Sequence, residues 1–281
     1  MIKTGTLYIV STPIGNLEDI TLRALKVLGD VRIIAAEDTR HTQKLLHHYD
    51  IHTPRTSYHD HNKEEKSEIL IAKLKEGNDI ALVSDAGTPC ISDPGYYLIN
   101  RAIDENIKIT PIPGPTASIA ALSISGLPTD AFVFEGFLPA KKVARQKRLK
   151  ELASERRTII MFETPRRLSS SLEDISAILG DRRVVLTREL TKMFEEVIRD
   201  KVSGVIDKIK GKSLKGEITI IIEGAQEEII TDMADLKSYL EMLMQQERLS
   251  LKDAVSKVSK DLNLPKNQVY REALKIHKTA H

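Results

Sequence analysis

Tryptophan is absent from this 281-residue chain, and cysteine occurs once, as Cys90. The absence of tryptophan, with only 4% aromatics, disfavours a site built as a large aromatic cage. One cysteine excludes an internal disulfide framework and a multi-cysteine zinc centre. Long apolar runs are missing too: Ile218-Thr219-Ile220-Ile221-Ile222, one of the longest, falls far short of a membrane span. The opening Met1-Ile2-Lys3-Thr4-Gly5 carries no signal-peptide core. A cytoplasmic protein with no membrane partner is expected. Neither G-x-G-x-x-G nor G-x-x-x-x-G-K-[ST] occurs, which disfavours dinucleotide and P-loop sites.

What is present suffices for about two domains with real cores, since 41% of residues are hydrophobic. The net charge is only +2, but it is unevenly spread. Residues 139–167 hold ten Lys and Arg against three Glu, and residues 248–281 hold eight against three acids. Residues 226–247 are acidic. Basic patches on a nearly neutral chain fit a polyanionic partner, or are ordinary solvated helix faces.

Strand and helix signals alternate. Thr6–Val10, Val31–Ala36, Ile80–Val83 and Ile107–Ile112 read as buried strands. Asn16 predicts the cap of one helix running to Gly29, and Glu64–Glu76 a helix closed by Gly77. Ser57–Asn62 reads as a polar loop. A second run follows: strand Ala131–Phe137, basic helix Lys141–Leu152, strand Arg157–Phe162, and a helix ended by Gly180. Arg183–Thr187, Glu195–Val202 and Glu217–Glu223 are further strands with more hairpin character. Near the end, Ser250 caps a helix carrying Leu251, Ala254, Val255, Val258 and Leu262. Asn263 suits a left-handed turn and Pro265 opens the next helix, with Val269, Ala273 and Leu274 packing back. That pair is either a helix-turn-helix or a plain helical hairpin. The expected fold is α/β: one α/β domain over residues 1–114, another over 115–226, and a small helical appendage over 227–281.

Four loops carry the chemistry. Pro13–Gly15, Glu37–Arg40, Asp85–Pro89 and Pro113–Thr116 each follow a strand, where open α/β sheets bind ligands. Gly87 and Gly114 permit close backbone approach, and Pro89, Pro113 and Pro115 stiffen the loops. Glu37-Asp38-Thr39-Arg40-His41 gathers ionisable groups at a strand end. A carboxylate there can deprotonate a hydroxyl, and Arg40 can grip a phosphate; a self-satisfied ion pair is the other reading. His59-Asp60-His61 lacks a third matched ligand, so polar contacts are expected there and no metal. Cys90 reads as a packing residue.

Several of these segments resemble one family. They are Leu7–Leu17, Ala36–Arg40, His59–Asn62, Ser84–Pro89, Pro113–Thr116, Phe134–Pro139 and Phe162–Leu168. The sequence is similar to the bacterial methyltransferases that modify a cytidine 2′-oxygen of 16S ribosomal RNA, a branch of the tetrapyrrole methylase superfamily. The resemblance implies S-adenosylmethionine in a cleft between the two α/β domains, 16S rRNA of the small subunit as partner, and a homodimer. It implies cofactor contacts at Pro13, Ser84, Asp85, Ala86, Gly87, Thr116, Ala117, Phe162, Glu163 and Pro165, with Glu223 and Gly224 nearby. Thr12-Pro13-Ile14-Gly15-Asn16 stands where the superfamily usually has G-x-G-P-G-D, which argues against a tetrapyrrole substrate. Asp38 or Glu37 is expected near the reacting ribose, with Arg40 on a flanking phosphate. The stretch Lys141–Lys150 and the tail are expected to touch RNA.

Overall fold

Five short strands pair in parallel in the order β3-β2-β4-β1-β5 in this computed structural model. They are β1 (Thr6–Val10), β2 (Ile33–Ala36), β3 (Arg55–Ser57), β4 (Ile80–Val83) and β5 (Lys108–Ile112). The structure describes residues 4–226, 233–245, 249–261, 264 and 266–279. The central strand β4 is buried at all four positions, because helices cover both faces of a parallel sheet. Its period-two alternation splits the core. Ala81 and Val83 meet α1 (Leu22–Asp30) and α2 (Thr39–His48) through Ala24, Leu28, Leu45 and Leu46. Ile80 and Leu82 meet α3 (Lys63–Lys75) and α4 (Tyr96–Asp104) through Leu70, Leu74, Leu98 and Ala102.

The helix expected from Asn16 to Gly29 is two elements. Asn16 caps only a 3-10 turn, Leu17–Asp19. Ile20 is extended, and the Thr21 hydroxyl then accepts the Ala24 amide at 3.1 Å to start α1 afresh. Gly29 lies inside α1, which runs to Asp30. A second cap inside an apolar stripe overrode its periodicity. Strand β3 carries no strand signal of its own, and only its last residue, Ser57, falls in the expected polar loop Ser57–Asn62; it is three polar residues long and pairs only along β2.

After β5, helix α5 (Ala117–Ser123) packs through Ala121 and Leu122 on a second sheet. Its order is β6-β7-β10-β8-β9, from Phe132–Phe137, Thr158–Glu163, Ile218–Ile222, Arg183–Arg188 and Glu196–Lys201. Only β6 and β7 are parallel; the rest are antiparallel, as hairpin-like connections allow. Helices α6 (Lys142–Glu151), α7 (Pro165–Leu179) and α8 (Val202–Ile209) cover the other face. Pro165 opens α7, and Gly180, at φ +81°, closes it.

Residues up to Ala225 form one compact unit, and residues from Gln226 onward form another. The second unit holds α9 (Met233–Gln245), α10 (Leu251–Asp261) and α11 (Lys266–Thr279). Leu236, Leu240, Ala254, Val258, Val269 and Ala273 make its core. Ser250 accepts the Asp253 amide, as a cap should. Leu274 is 39% exposed rather than packed, since Val269 and Ala273 define the inward face. Leu262, Asn263 and Pro265, expected around the turn, lie outside the described residues. No helix among the described residues is long and apolar enough to cross a membrane.

Candidate active site

The loops at the carboxyl ends of β1, β2, β4 and β5 are knitted together. Thr12 and Gly87 exchange two backbone hydrogen bonds, of 2.9 and 3.0 Å. Gly87 sits at φ +77°, where a side chain is disfavoured. The Thr12 hydroxyl donates to the Ser84 carbonyl at 3.2 Å, and Ser11 and Thr88 join through their hydroxyls at 2.9 Å. Asp85 accepts the Asp38 amide at 3.0 Å, tying the β4 loop to the start of α2. Gly114 passes so close to Ser11 that an added Cβ would lie 2.9 Å from its Cβ.

The second sheet reaches this platform at two points. The Asn16 amide donates to Thr191 Oγ1 at 3.0 Å, and Lys192 packs beside Gly15. On the other side Gly136, at φ +63°, lies against Ser92. The loop carrying Ser92 is itself unusual: Cys90 and Ser92 are non-glycine residues at φ +73° and +67°. Backbone held in that region is a local cost maintained by the surrounding structure. Burial pushes the Cys90 thiol up to about 11, so it packs as a thiol and not as a thiolate.

Two cavities open between these contacts. The first has roughly 970 Å³ of empty space, part of it open to solvent, which suits a nucleoside-sized ligand. Ile14, Ile91, Phe137, Phe162 and Ile218 give it apolar walls, and Thr116 and Ala117 line it from the start of α5. All its charged lining residues are acidic: Glu37, Asp85, Asp93, Glu163 and Glu217. Glu163 is saturated, accepting from the Thr164 amide at 2.8 Å, from Ser171 at 2.5 Å and from Arg167. Burial, then the charges of Asp93 and Asp85, raise the Glu37 pKa; a hydrogen bond from the Asp85 amide offsets part of this. Asp93 is likewise raised, chiefly by burial.

The second cavity lies between the β1 loop and α2. It shares Ile14, Asp85, Ala86 and Glu217 with the first, and adds His41, Lys44 and Lys192. Lys192 bonds to Glu189 and Glu217, each at 2.9 Å. Burial lowers its pKa, but the two carboxylates outweigh that and raise it, so it is an ammonium donor. Thr42 Oγ1, in the same wall, is buried without a hydrogen-bond partner. Outward along α2, an open hollow is lined by Arg40, Gln43, Lys44, His47 and His48.

The expected site residues thus divide. Asp85, Ala86, Gly87, Thr116, Ala117, Phe162 and Glu163 line the first cavity, whereas Pro13 and Ser84 line the second. Pro165 is the first residue of α7 and belongs to neither lining. Glu37 faces the first cavity; its neighbour Asp38 does not. Asp38 caps α2 and accepts Arg40 through its amide, Nε and Nη2 at 2.8, 3.1 and 2.8 Å. Those bonds hold the Asp38 carboxyl well below the usual carboxylate range. His59 and Asn62 are bonded within their own loop, and no three metal-ligating side chains cluster among the described residues. Part of the basic run is committed to the fold: Arg145 is buried against Asp174 at 2.7 Å, and Arg148 pairs with Glu135 and Glu151. Lys141, Lys142, Lys147, Lys150 and Arg166 stay exposed. Sequence reasoning missed Asp93, Phe137, Lys44, Lys192 and Glu217. Asp93 stands directly before Pro94-Gly95 in the loop after β4, where a single acid makes no motif, and Lys192 sits on a loop between antiparallel strands that no motif marks.

The family model for tetrapyrrole (corrin/porphyrin) methylases matches residues 6–205. A ribosomal RNA small subunit methyltransferase I of Escherichia coli O157:H7 is 50% identical over 275 residues, spanning 96% of this chain and 95% of that protein. Relatives of the same name from Synechocystis sp. (strain ATCC 27184 / PCC 6803 / Kazusa) and Bacillus subtilis (strain 168) are 47% and 43% identical. They span 97% and 95% of this chain and 98% and 93% of their own lengths. Among solved structures, a cobalt precorrin-4 methyltransferase aligns at TM-score 0.60 and 19% identity, over 78% of this chain and 94% of its own. That likeness establishes the fold. The chain belongs to the tetrapyrrole methylase family, within its ribosomal RNA small subunit methyltransferase I branch, and is a methyltransferase.

Proposed function

We propose that this member of the family transfers a methyl group from S-adenosylmethionine to the 2′-hydroxyl of a cytidine in 16S rRNA of the small subunit. We place the donor in the acidic first cavity and the acceptor in the second, where Lys44 and Lys192 balance the shared Asp85 and Glu217. The observation carrying this reading is that two cavities with a common wall differ in charge. A sulfonium with an ammonium tail suits carboxylates and apolar walls; a nucleotide with its phosphates suits Lys44, Lys192 and Arg40.

When bound, S-adenosylmethionine supplies a methyl group already activated by its positive sulfur. The protein's task is then alignment, relief of the hydroxyl proton and exclusion of water. The loop Ser84–Gly87 and the start of α5 form the floor, and Phe137 and Phe162, with ring centroids 5.6 Å apart, form a wall for a flat base. Glu37 lines the first cavity, and its carboxylate accepts the amide of Asp85, a residue of the wall shared with the second. Its raised pKa makes it a better proton acceptor than an ordinary carboxylate. Glu37 takes the hydroxyl proton while Lys192 and Thr42 hold the sugar or a phosphate. Asp38, engaged by Arg40 and by the cap of α2, positions that guanidinium, and Glu37 is the base of this reading.

We further assign the exposed lysines of α6 and the helical tail to RNA contact, and a homodimer as the working form. A tetrapyrrole polycarboxylate would suit the same cations, and relatives by fold act on such compounds according to their names. Mass mapping of ribose methylation in small-subunit RNA from cells lacking the protein decides between them. One 2′-O-methyl group lost on deletion and restored by the gene supports the RNA reading; an unchanged map refutes it.

A further inference from the structure

The loop between β8 and β9 combines a fixed base with an apolar tip. Glu189 and Thr191 are non-glycine residues at φ +51° and +65°. The Thr191 amide donates to Glu195 at 2.7 Å, and the Thr191 hydroxyl accepts the Asn16 amide. Lys192 is anchored by two carboxylates. On this base Met193 is 91% exposed and Phe194 68% exposed. Two adjacent apolar side chains held out by a braced, left-handed loop are an expensive way to meet water alone.

The residue before them, Lys192, lines the basic cavity. The tip therefore follows directly in the chain on a residue of that cavity's lining, to which α2 contributes His41, Thr42 and Lys44. A ribose in structured RNA reaches such a cavity only if its nucleotide leaves the stack, and the gap it leaves must be held open. Apolar side chains inserted between bases do this in other nucleic-acid complexes. We infer that Met193 and Phe194 form a wedge that stacks on the bases flanking the target nucleotide and holds it extruded into the second cavity. This rests on the proposed RNA reading. No covalent step is involved.

The test compares full-length wild type, Met193→Ala/Phe194→Ala and Phe194→Tyr on two acceptors. One is the small ribosomal subunit from cells lacking the protein; the other is a short single-stranded RNA of the target sequence. Calorimetry with S-adenosylmethionine checks that each variant keeps its cofactor site. We expect the double variant to lose about tenfold or more in kcat/KM on the subunit but little on the single strand, with Phe194→Tyr, which keeps an aromatic ring, staying near wild type on both. A 2-aminopurine placed beside the target in the subunit RNA should brighten with wild type and not with the double variant. Equal losses on both acceptors, no loss on either, or an unchanged 2-aminopurine signal overturns the wedge. So does a shift from dimer to monomer by sedimentation, which would assign the tip to a second copy of the chain. Failure of wild type to methylate ribose in either acceptor refutes the RNA reading instead.

Discussion

The two cavities share Ile14, Asp85, Ala86 and Glu217, yet everything beyond that wall differs. The first draws on both sheets and carries carboxylates, two of which burial keeps harder to ionise than usual. The second is built around α2 and the Lys192 loop, and carries cations. Under the proposed assignment, the acidic first cavity disfavours a polyanionic acceptor and favours the sulfonium donor, and the lysines of the second offset the carboxylates it shares with the first.

The sharpest way to break the contrast is at the meeting point. Glu37→Gln should lower kcat by about a hundredfold to ten-thousandfold while leaving S-adenosylmethionine binding within severalfold of wild type, measured by single-turnover assay and calorimetry. The same variant should raise Tm. Burial disfavours the ionised Glu37, so its cost to stability is absent at low pH and grows as pH rises through the raised pKa. The gain should therefore be larger at pH 8 than at pH 5. Removing residues 230–281 should weaken binding to the small subunit by about tenfold or more and leave cofactor affinity unchanged, if the tail serves RNA. Equal loss of both would mark a structural tail.

The pH profile is a subtler test. The acid limb of kcat/KM should lie above the usual carboxylate range in wild type and vanish in Glu37→Gln. The smallest effect is expected for Asp38→Asn. An asparagine still caps α2, and a solvent-exposed pair such as that with Arg40 contributes little. Activity should stay within about threefold of wild type. A loss as large as that of Glu37→Gln would return the chemistry to Asp38.

Much of this was legible in the chain because local rules and tertiary packing agreed. The strand Ile80–Val83 reads the same alone and in the sheet, since a parallel strand buried on both faces needs an unbroken apolar run. The four loops converge because parallel strands point their carboxyl ends one way. Reading failed where a local signal was outvoted. Thr21 restarts a helix inside an apolar stripe, and β3 owes its existence to pairing with β2 and not to its own Arg-Thr-Ser. The division between Glu37 and Asp38 was invisible for the same reason. Adjacent residues at a strand end leave on different sides, and only the capping of α2 decides which one turns outward. Lys192 and Glu217 come from the second half of the chain, so no motif in the first half points to them.

The charge contrast itself has one direct measurement: affinities for S-adenosylmethionine and for the small subunit, in Asp93→Asn and Lys44→Met. Asp93 lines only the acidic cavity, and Lys44 lines the basic cavity and the adjoining hollow. Asp93→Asn should weaken S-adenosylmethionine by about tenfold, and S-adenosylhomocysteine, which lacks the sulfonium charge, less, with subunit binding intact. Lys44→Met should weaken subunit binding and lower its salt slope by about one, with cofactor binding intact. If each variant instead weakens both ligands alike, donor and acceptor do not occupy separate cavities, and the account is wrong.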